Sequence, residues 1–228
     1  MIKTFKQTKI FCIICGALLL LILSTCSLFP PPETLVVLEP ETHQERIQRV
    51  LSSPQPRFPT KLYTGNDPVA RLYMDRESNA RVLAFYSSLT GSEHIARIIL
   101  DAAVAKDVPV NLAFALAWGE SRFKTGLASR NTNRSLDRGL FQLNSTSFPH
   151  LTAAEVYNPE TNARYGLAYL HYCLSYSGNE VVALAMYNAG LPRVAKAKTP
   201  ASTYRYIETI LVKRDEFHER FQSEVSVL

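Results

Sequence analysis

A single glutamate, Glu120, stands near the end of an otherwise apolar run, Pro-Val-Asn-Leu-Ala-Phe-Ala-Leu-Ala-Trp-Gly-Glu-Ser over residues 109–121. Leu112, Leu116 and Glu120 recur at intervals of four, so a helix through this run sets the carboxyl on the same face as two leucines. Near a helix C-terminus, partial desolvation and the negative end of the helix dipole both disfavour the anion, which predicts a raised pKa. A carboxyl that keeps its proton at neutral pH is suited to general acid catalysis. The same spacing also fits a glutamate that merely fringes a helix end in solvent, and spacing alone leaves both readings open.

The next chemically suggestive stretch, residues 129–145, is crowded with Asn, Ser, Arg, Asp and Gly before a short apolar Leu140-Phe141-Gln142-Leu143. Its turn residues predict a loop or small β-hairpin carrying Asp137 and Gln142. The sequence holds no metal-ligand cluster, glycine-rich phosphate loop, serine-nucleophile elbow or internal repeat, so no cofactor is expected.

The elements that must position these residues read as helices. Apolar residues recur at three- and four-residue intervals over 67–74, 77–89, 93–105 and 109–121, and again over 161–175, 179–188 and 202–220. Thr90-Gly91-Ser92 and Lys106-Asp107-Val108 break the first set, with Ser92 and Asp107 or Val108 near N-cap positions and Pro109 suited to a first helical turn. The expected body is mainly α with one small β element.

At 228 residues with 46% hydrophobic residues the chain has a globular composition. Its start is different. Lys3, Lys6 and Lys9 precede an uninterrupted apolar run over 10–23, the pattern of a signal peptide over 1–25. The run is shorter than the roughly 20 residues that span a bilayer, although Ser24 to Phe29 could extend it into an uncleaved anchor. Leu23-Ser24-Thr25-Cys26-Ser27 resembles the lipobox of bacterial lipoproteins, which would make Cys26 the lipidated N-terminus. Thr25 departs from the usual Gly, Ala or Ser, and an incidental cysteine beside an ordinary cleavage site is the alternative.

Residues 26–60 are rich in proline, with one short amphipathic helix expected over 42–51, and read as a tether with a span of roughly 30–35 Å. Three of the four cysteines lie in the leader region, leaving Cys173 alone in the body, so no disulfide framework is expected. Loss of residues 1–25 removes three lysines and no acid, taking the formal charge from +5 to +2. The basic balance therefore does not point to nucleic acid.

Several separated motifs in order then carry a resemblance. Glu120-Ser121, Ser129, Gly139-Leu140-Phe141-Gln142, Tyr157-Asn158-Pro159, Asn162, Gly166, Tyr169-Leu170, Ala185-Met186-Tyr187-Asn188-Ala189-Gly190 and Tyr206-Ile207 resemble the transglycosylase SLT family across about residues 92–212. Phe141 and Met186 stand where Met and Ala are commoner, and neither change removes a polar group. The resemblance implies a lysozyme-like helical domain over 92–228 with one small β-hairpin, preceded by a helical extension over 61–91. It implies Glu120 as catalytic acid/base, with Ser129, Gln142, Tyr187 and Tyr206 lining a glycan groove. Asn188 and Ser121 match motif positions of structural role, and Asn188 is also expected to bind substrate.

The segment 131–145 also resembles the β-hairpin of c-type lysozymes, in which the aspartate matching Asp137 is a second catalytic carboxylate. The resemblance to the transglycosylases implies cleavage of peptidoglycan strands with 1,6-anhydro-N-acetylmuramic acid ends. Hydrolysis by Glu120 and Asp137 together is the alternative, and a non-catalytic glycan-binding lipoprotein is a third. The expected setting is the periplasmic side of a bacterial envelope, with Ser27 favouring the outer membrane and envelope machinery as a further partner.

Overall fold

The computed structural model describes residues 41–52 and 66–225, and the leader, Cys26 and most of the proline-rich stretch lie outside them. The first described element, α1 (His43–Ser52), is closed at its start by reciprocal bonds between Thr42 and Glu45. This is the amphipathic helix expected within the tether. It does not stand free, because Ile47 and Leu51 are buried against later helices of the same compact unit.

Helix α2 (Pro68–Met74) begins with Asp67, whose Oδ1 accepts from the Val69 N–H at 3.2 Å. Helix α3 (Asn79–Thr90) stops at Gly91, which takes a φ of +69° open to glycine at little cost. Ser92 then caps α4 (Glu93–Ala105) through the Ile95 N–H, as its position in the sequence predicts.

The apolar run forms α5 (Val110–Ser121), with every residue from Val110 to Ala117 buried. A helix apolar on all sides belongs at the centre, and α5 packs against α2, α4 and the last helix, α10 (Ala201–Glu224). Pro109 sits one position earlier than expected, at the N-cap. Its apolar ring offers no acceptor to cap the helix, and the Val110 N–H is taken instead by Asp67 Oδ2 at 2.7 Å. One carboxylate thus ties the starts of α2 and α5 together, a bond between distant residues that no local pattern announces.

Residues 128–144 form three short strands rather than a two-stranded hairpin: β1 (Ala128–Arg130), β2 (Leu136–Arg138) and β3 (Leu143–Asn144), antiparallel in the order β1-β2-β3. The third strand arises because Gly139, with a φ of +81°, and Gln142, with a φ of +46°, fold Leu143-Asn144 back onto β2.

The remaining helices are α6 (Ala153–Tyr157), α7 (Pro159–Ser177), α8 (Glu180–Ala189) and α9 (Leu191–Ala195) before α10. Helices α7 and α10 run somewhat longer than their periodicity suggests, and α8 keeps its expected length one residue further on. The short α6 and α9 were not expected, although Thr152-Ala-Ala-Glu155 makes a full capping box at the start of α6. The described residues are thus mainly helical with one small antiparallel sheet.

Candidate active site

Glu120 occupies the last turn of α5, and the chain leaves that helix through two consecutive non-glycine residues in left-handed conformation, Arg122 (φ +54°) and Phe123 (φ +63°). Each such residue costs on the order of 1–2 kcal/mol, so surrounding contacts must hold the turn. Arg122 supplies part of that hold: its guanidinium lies 3.4 Å above the Trp118 ring and donates to the Trp118 carbonyl. The abrupt exit stops the helix one turn after Ala117 and leaves Glu120 facing an open cleft.

The cleft has a volume of about 500 Å³ and is bounded by Glu120, by the sheet residues Asp137, Asn144 and Leu143, and by Tyr187, Asn188 and Gly190 at the junction of α8 and α9. Its lining is largely amide and hydroxyl groups with aromatic edges. That composition suits a neutral, hydroxyl-rich ligand.

Protein surrounds most of the Glu120 side chain, and this desolvation is the main cause of a pKa raised to about 8. The Tyr206 hydroxyl opposes the shift by donating to Oε1 at 2.5 Å, and the charge of Asp137 adds to it. At neutral pH the carboxyl therefore keeps its proton. Because Oε1 accepts from Tyr206, Oε2 is the oxygen that can carry that proton towards the cleft. The alternative that Glu120 fringes a helix end in solvent is excluded by this environment.

Tyr206 is itself held in its neutral form, first by burial and next by the proximity of Glu120. It reaches Glu120 from α10, whose first turns cross α5. The close approach depends on Gly119, since a Cβ there would stand 3.0 Å from the Ile210 side chain.

Asp137 lines the same cleft from β2. Its two oxygens accept from different amides, Oδ1 from Asn144 at 2.7 Å and Oδ2 from Asn131 at 2.9 Å. It is fixed as an acceptor on the wall.

Gln142 also lines the cleft, but its amide nitrogen donates to the Leu127 and Gly139 carbonyls at 3.1 and 2.9 Å. That bracing leaves the carbonyl oxygen of the side chain as its group for a ligand. Tyr187 donates to the Phe141 carbonyl at 2.9 Å, which pins the ring of α8 to the sheet. Asn188 lines the cleft and accepts from the Thr203 hydroxyl at 2.7 Å. Ser121 is structural: it is buried and donates to the Leu140 carbonyl at 2.7 Å.

Ser129 departs from its expected place. It lies exposed on the edge strand β1, opposite Asp137 in register, and not in the cleft wall. Directly paired residues share a face of a sheet, so Ser129, Asp137 and Asn144 form one row, of which Asp137 and Asn144 reach the cleft.

Asn131, Asn144, Phe148 and Arg193 line the cleft without having been singled out from the sequence. The two asparagines sit in a stretch whose Asn and Ser content reads as turn chemistry, which masks their second role. Among the described residues no group of His, Cys, Asp and Glu is placed to hold a metal. Cys173 is buried, and burial pushes its thiol up to about 12, so it contributes nothing nucleophilic.

Comparison with known proteins gives a match of residues 97–210, half of the chain, to the family model described as the transglycosylase SLT domain. Among solved structures the chain is similar to an inactive mutant of lytic transglycosylase Slt from Pseudomonas aeruginosa, at 22% identity and a TM-score of 0.45. That similarity covers 67% of this chain and 30% of the other, so the chain spans under a third of that protein's length. No curated protein matches.

Proposed function

The chain belongs to the transglycosylase SLT domain family, and from that membership we propose that it cleaves peptidoglycan strands as a lytic transglycosylase, with Glu120 as acid and then base. The observation that carries the reading is the state of Glu120, protonated at neutral pH in an open polar cleft and gripped on one oxygen by Tyr206. The lysozyme-like arrangement that the family resemblance implies agrees with a catalytic glutamate at a helix end facing a small antiparallel sheet.

In the first step Oε2 of Glu120 gives its proton to the glycosidic oxygen between N-acetylmuramic acid and N-acetylglucosamine, and the bond to the anomeric carbon breaks. The substrate's own acetamido oxygen shares the positive charge at that carbon. The leaving sugar departs as an alcohol. Glu120, now a carboxylate, is stabilised by the Tyr206 hydroxyl until it removes the proton from the C6 hydroxyl of the muramic acid. The C6 oxygen closes on the anomeric carbon, giving a 1,6-anhydro ring, and no water is consumed.

Product masses test the scheme. Purified peptidoglycan treated with the protein should release muropeptides lacking the added water of hydrolysis, and Glu120→Gln should release none. A second reading, hydrolysis with Asp137 as the partner carboxylate, draws on the fixed place of Asp137 in the same cleft; it gives hydrated ends. Retained wall binding with no cleavage between about pH 4 and 8 would leave only a glycan-binding role.

For the whole protein, the reading places the domain in the wall-facing space of a bacterial envelope, with Cys26 lipidated and residues 27–40 as a tether. Metabolic labelling with a fatty acid, lost on Cys26→Ser, is the expected result. Work alongside envelope machinery fits such an anchor, and co-purification after cross-linking tests it.

A further inference from the structure

Helix α7 carries tyrosines at 165, 169, 172 and 176, intervals of four, three and four that hold side chains along one helix face. Tyr169 belongs to the cleft: it lines it and sets its ring 5.3 Å from that of Tyr187. The line continues outward. Tyr172 lies 6.2 Å from Tyr169 with the ring planes 15° apart, and Tyr176 lies 6.0 Å from Tyr172.

Tyr176 is partly buried and packs against the core, but packing does not account for Tyr172. Tyr172 is 47% exposed, one of three large hydrophobic side chains so exposed among the described residues. The segment that carries it is also unusual in charge, because between Arg164 and Glu180 the sequence contains no Asp, Glu, Lys or Arg. A solvated helix face ordinarily carries such residues. A membrane-binding face would add lysine or arginine to its aromatics, and the segment has neither.

An uncharged row of rings running out of a polar cleft matches the faces of sugars, which present C–H groups to aromatic surfaces and hydroxyls to water. From Tyr169 to Tyr176 the row extends about 10 Å along the helix axis, close to the length of one two-sugar repeat.

We infer that Tyr172 and Tyr176 continue the surface of Tyr169 as an outer glycan platform, which holds sugars of the strand beyond those in the cleft. The inference rests on the glycan reading of the cleft. It assigns the platform to the neutral sugar backbone and not to the peptide stems.

The test uses the full chain carrying Glu120→Gln, so that ligands are not consumed, and measures its binding to peptide-free glycan oligomers. Some are short enough to fill the cleft alone and others longer. Long oligomers should bind more tightly than short ones, and Tyr172→Ala should weaken the long ones about three- to tenfold while leaving the short ones unchanged. Tyr172→Trp should restore the difference.

Equal binding of long oligomers before and after Tyr172→Ala overturns the platform, as does an equal loss on both lengths. A loss confined to peptide-bearing wall fragments would assign the row to the stems and also overturns it. Binding to no glycan of any length would sink the cleft reading itself, an outcome distinct from short oligomers binding without any effect of length.

Discussion

Tyr206 on α10 donates its hydroxyl to Oε1 of Glu120 on α5, joining two residues 86 positions apart in the chain. The bond favours the carboxylate and so holds down a pKa that burial has raised to about 8. Tyr206→Phe removes that brake, and the Glu120 pKa should rise further. An acid works only while protonated, so the alkaline limb of the kcat/KM profile follows this pKa and should move to higher pH in the variant. The rate should fall about tenfold or more, since the nascent carboxylate loses a charge-assisted bond. An unmoved limb would separate Tyr206 from the titration of Glu120.

The same raised pKa makes Glu120 a burden on stability. Unfolded, the carboxyl ionises near its model value of 4.5; folded, it holds its proton to about pH 8. Below pH 4.5 both states are protonated and the group costs nothing through linkage. As the pH climbs from 4.5 to 8 the unfolded chain releases a proton that the folded chain retains, so stability falls across that window. Glu120→Gln removes the titration. It should melt near the wild-type temperature at pH 4.5 and above it at pH 8, where it should be more stable by about 1–3 kcal/mol after allowance for the water that reaches the cleft. Thermal unfolding at the two pH values gives the comparison, and a gap that does not widen with pH would count against the burial.

The sequence makes Glu120 legible as a candidate because it ends a nearly continuous apolar run, and such a run predicts a central helix. Its raised pKa follows from that position. The grip of Tyr206 does not, since no periodicity relates residues on α5 and α10; only the family motifs brought the two into one site. The sheet was legible as turn chemistry but not as three strands, because the extra strand depends on Gln142 adopting a positive φ that its residue type does not advertise. The same applies to Arg122 and Phe123, where glycine would have signalled the turn and neither residue does. Helix α6 was not expected, because its five residues are too few for a periodic signal and only the capping box Thr152-Ala-Ala-Glu155 marks it. Ser129 shows the limit of carrying a motif position over: the strand is present and the residue shares the face of Asp137, but its edge place sets it to the side of the cleft wall.

Gly166 gives a test of how the sheet is held to α7. A Cβ there would stand 2.5 Å from the Cβ of Phe141, whose N–H bonds to buried Asn162 and whose carbonyl receives the Tyr187 hydroxyl. Alanine is intrinsically better than glycine in a helix by about 1 kcal/mol, but the clash should outweigh this. Gly166→Ala should lose about 1–3 kcal/mol in urea unfolding and raise KM by displacing Tyr187. Gly126→Ala, where a Cβ meets nothing within 4 Å, serves as the control and should be near neutral. Equal midpoints for the two variants would show that the backbones can separate at little cost.

Asp137→Asn distinguishes the two chemistries at the point where they diverge. Asp137 is held by the Asn131 and Asn144 amides, and an amide replacement keeps the shape while one neighbour turns to offer its oxygen. If the substrate's acetamido group stabilises the positive charge, the variant should retain activity within about tenfold of wild type, because no covalent or proton-transfer step passes through residue 137. In the wild type, the charge of Asp137 acts on Glu120, where it adds to the upward pKa shift. Removing that charge should therefore lower the Glu120 pKa and draw the alkaline limb of kcat/KM to lower pH, the direction opposite to Tyr206→Phe. A loss as severe as that of Glu120→Gln, together with hydrated wild-type products, would instead make Asp137 the second carboxylate of a hydrolase. The pH profile and the product masses are independent readouts, so a moderate loss with a downward-shifted limb and anhydro ends identifies Asp137 as an electrostatic neighbour that tunes the acid without attacking the sugar.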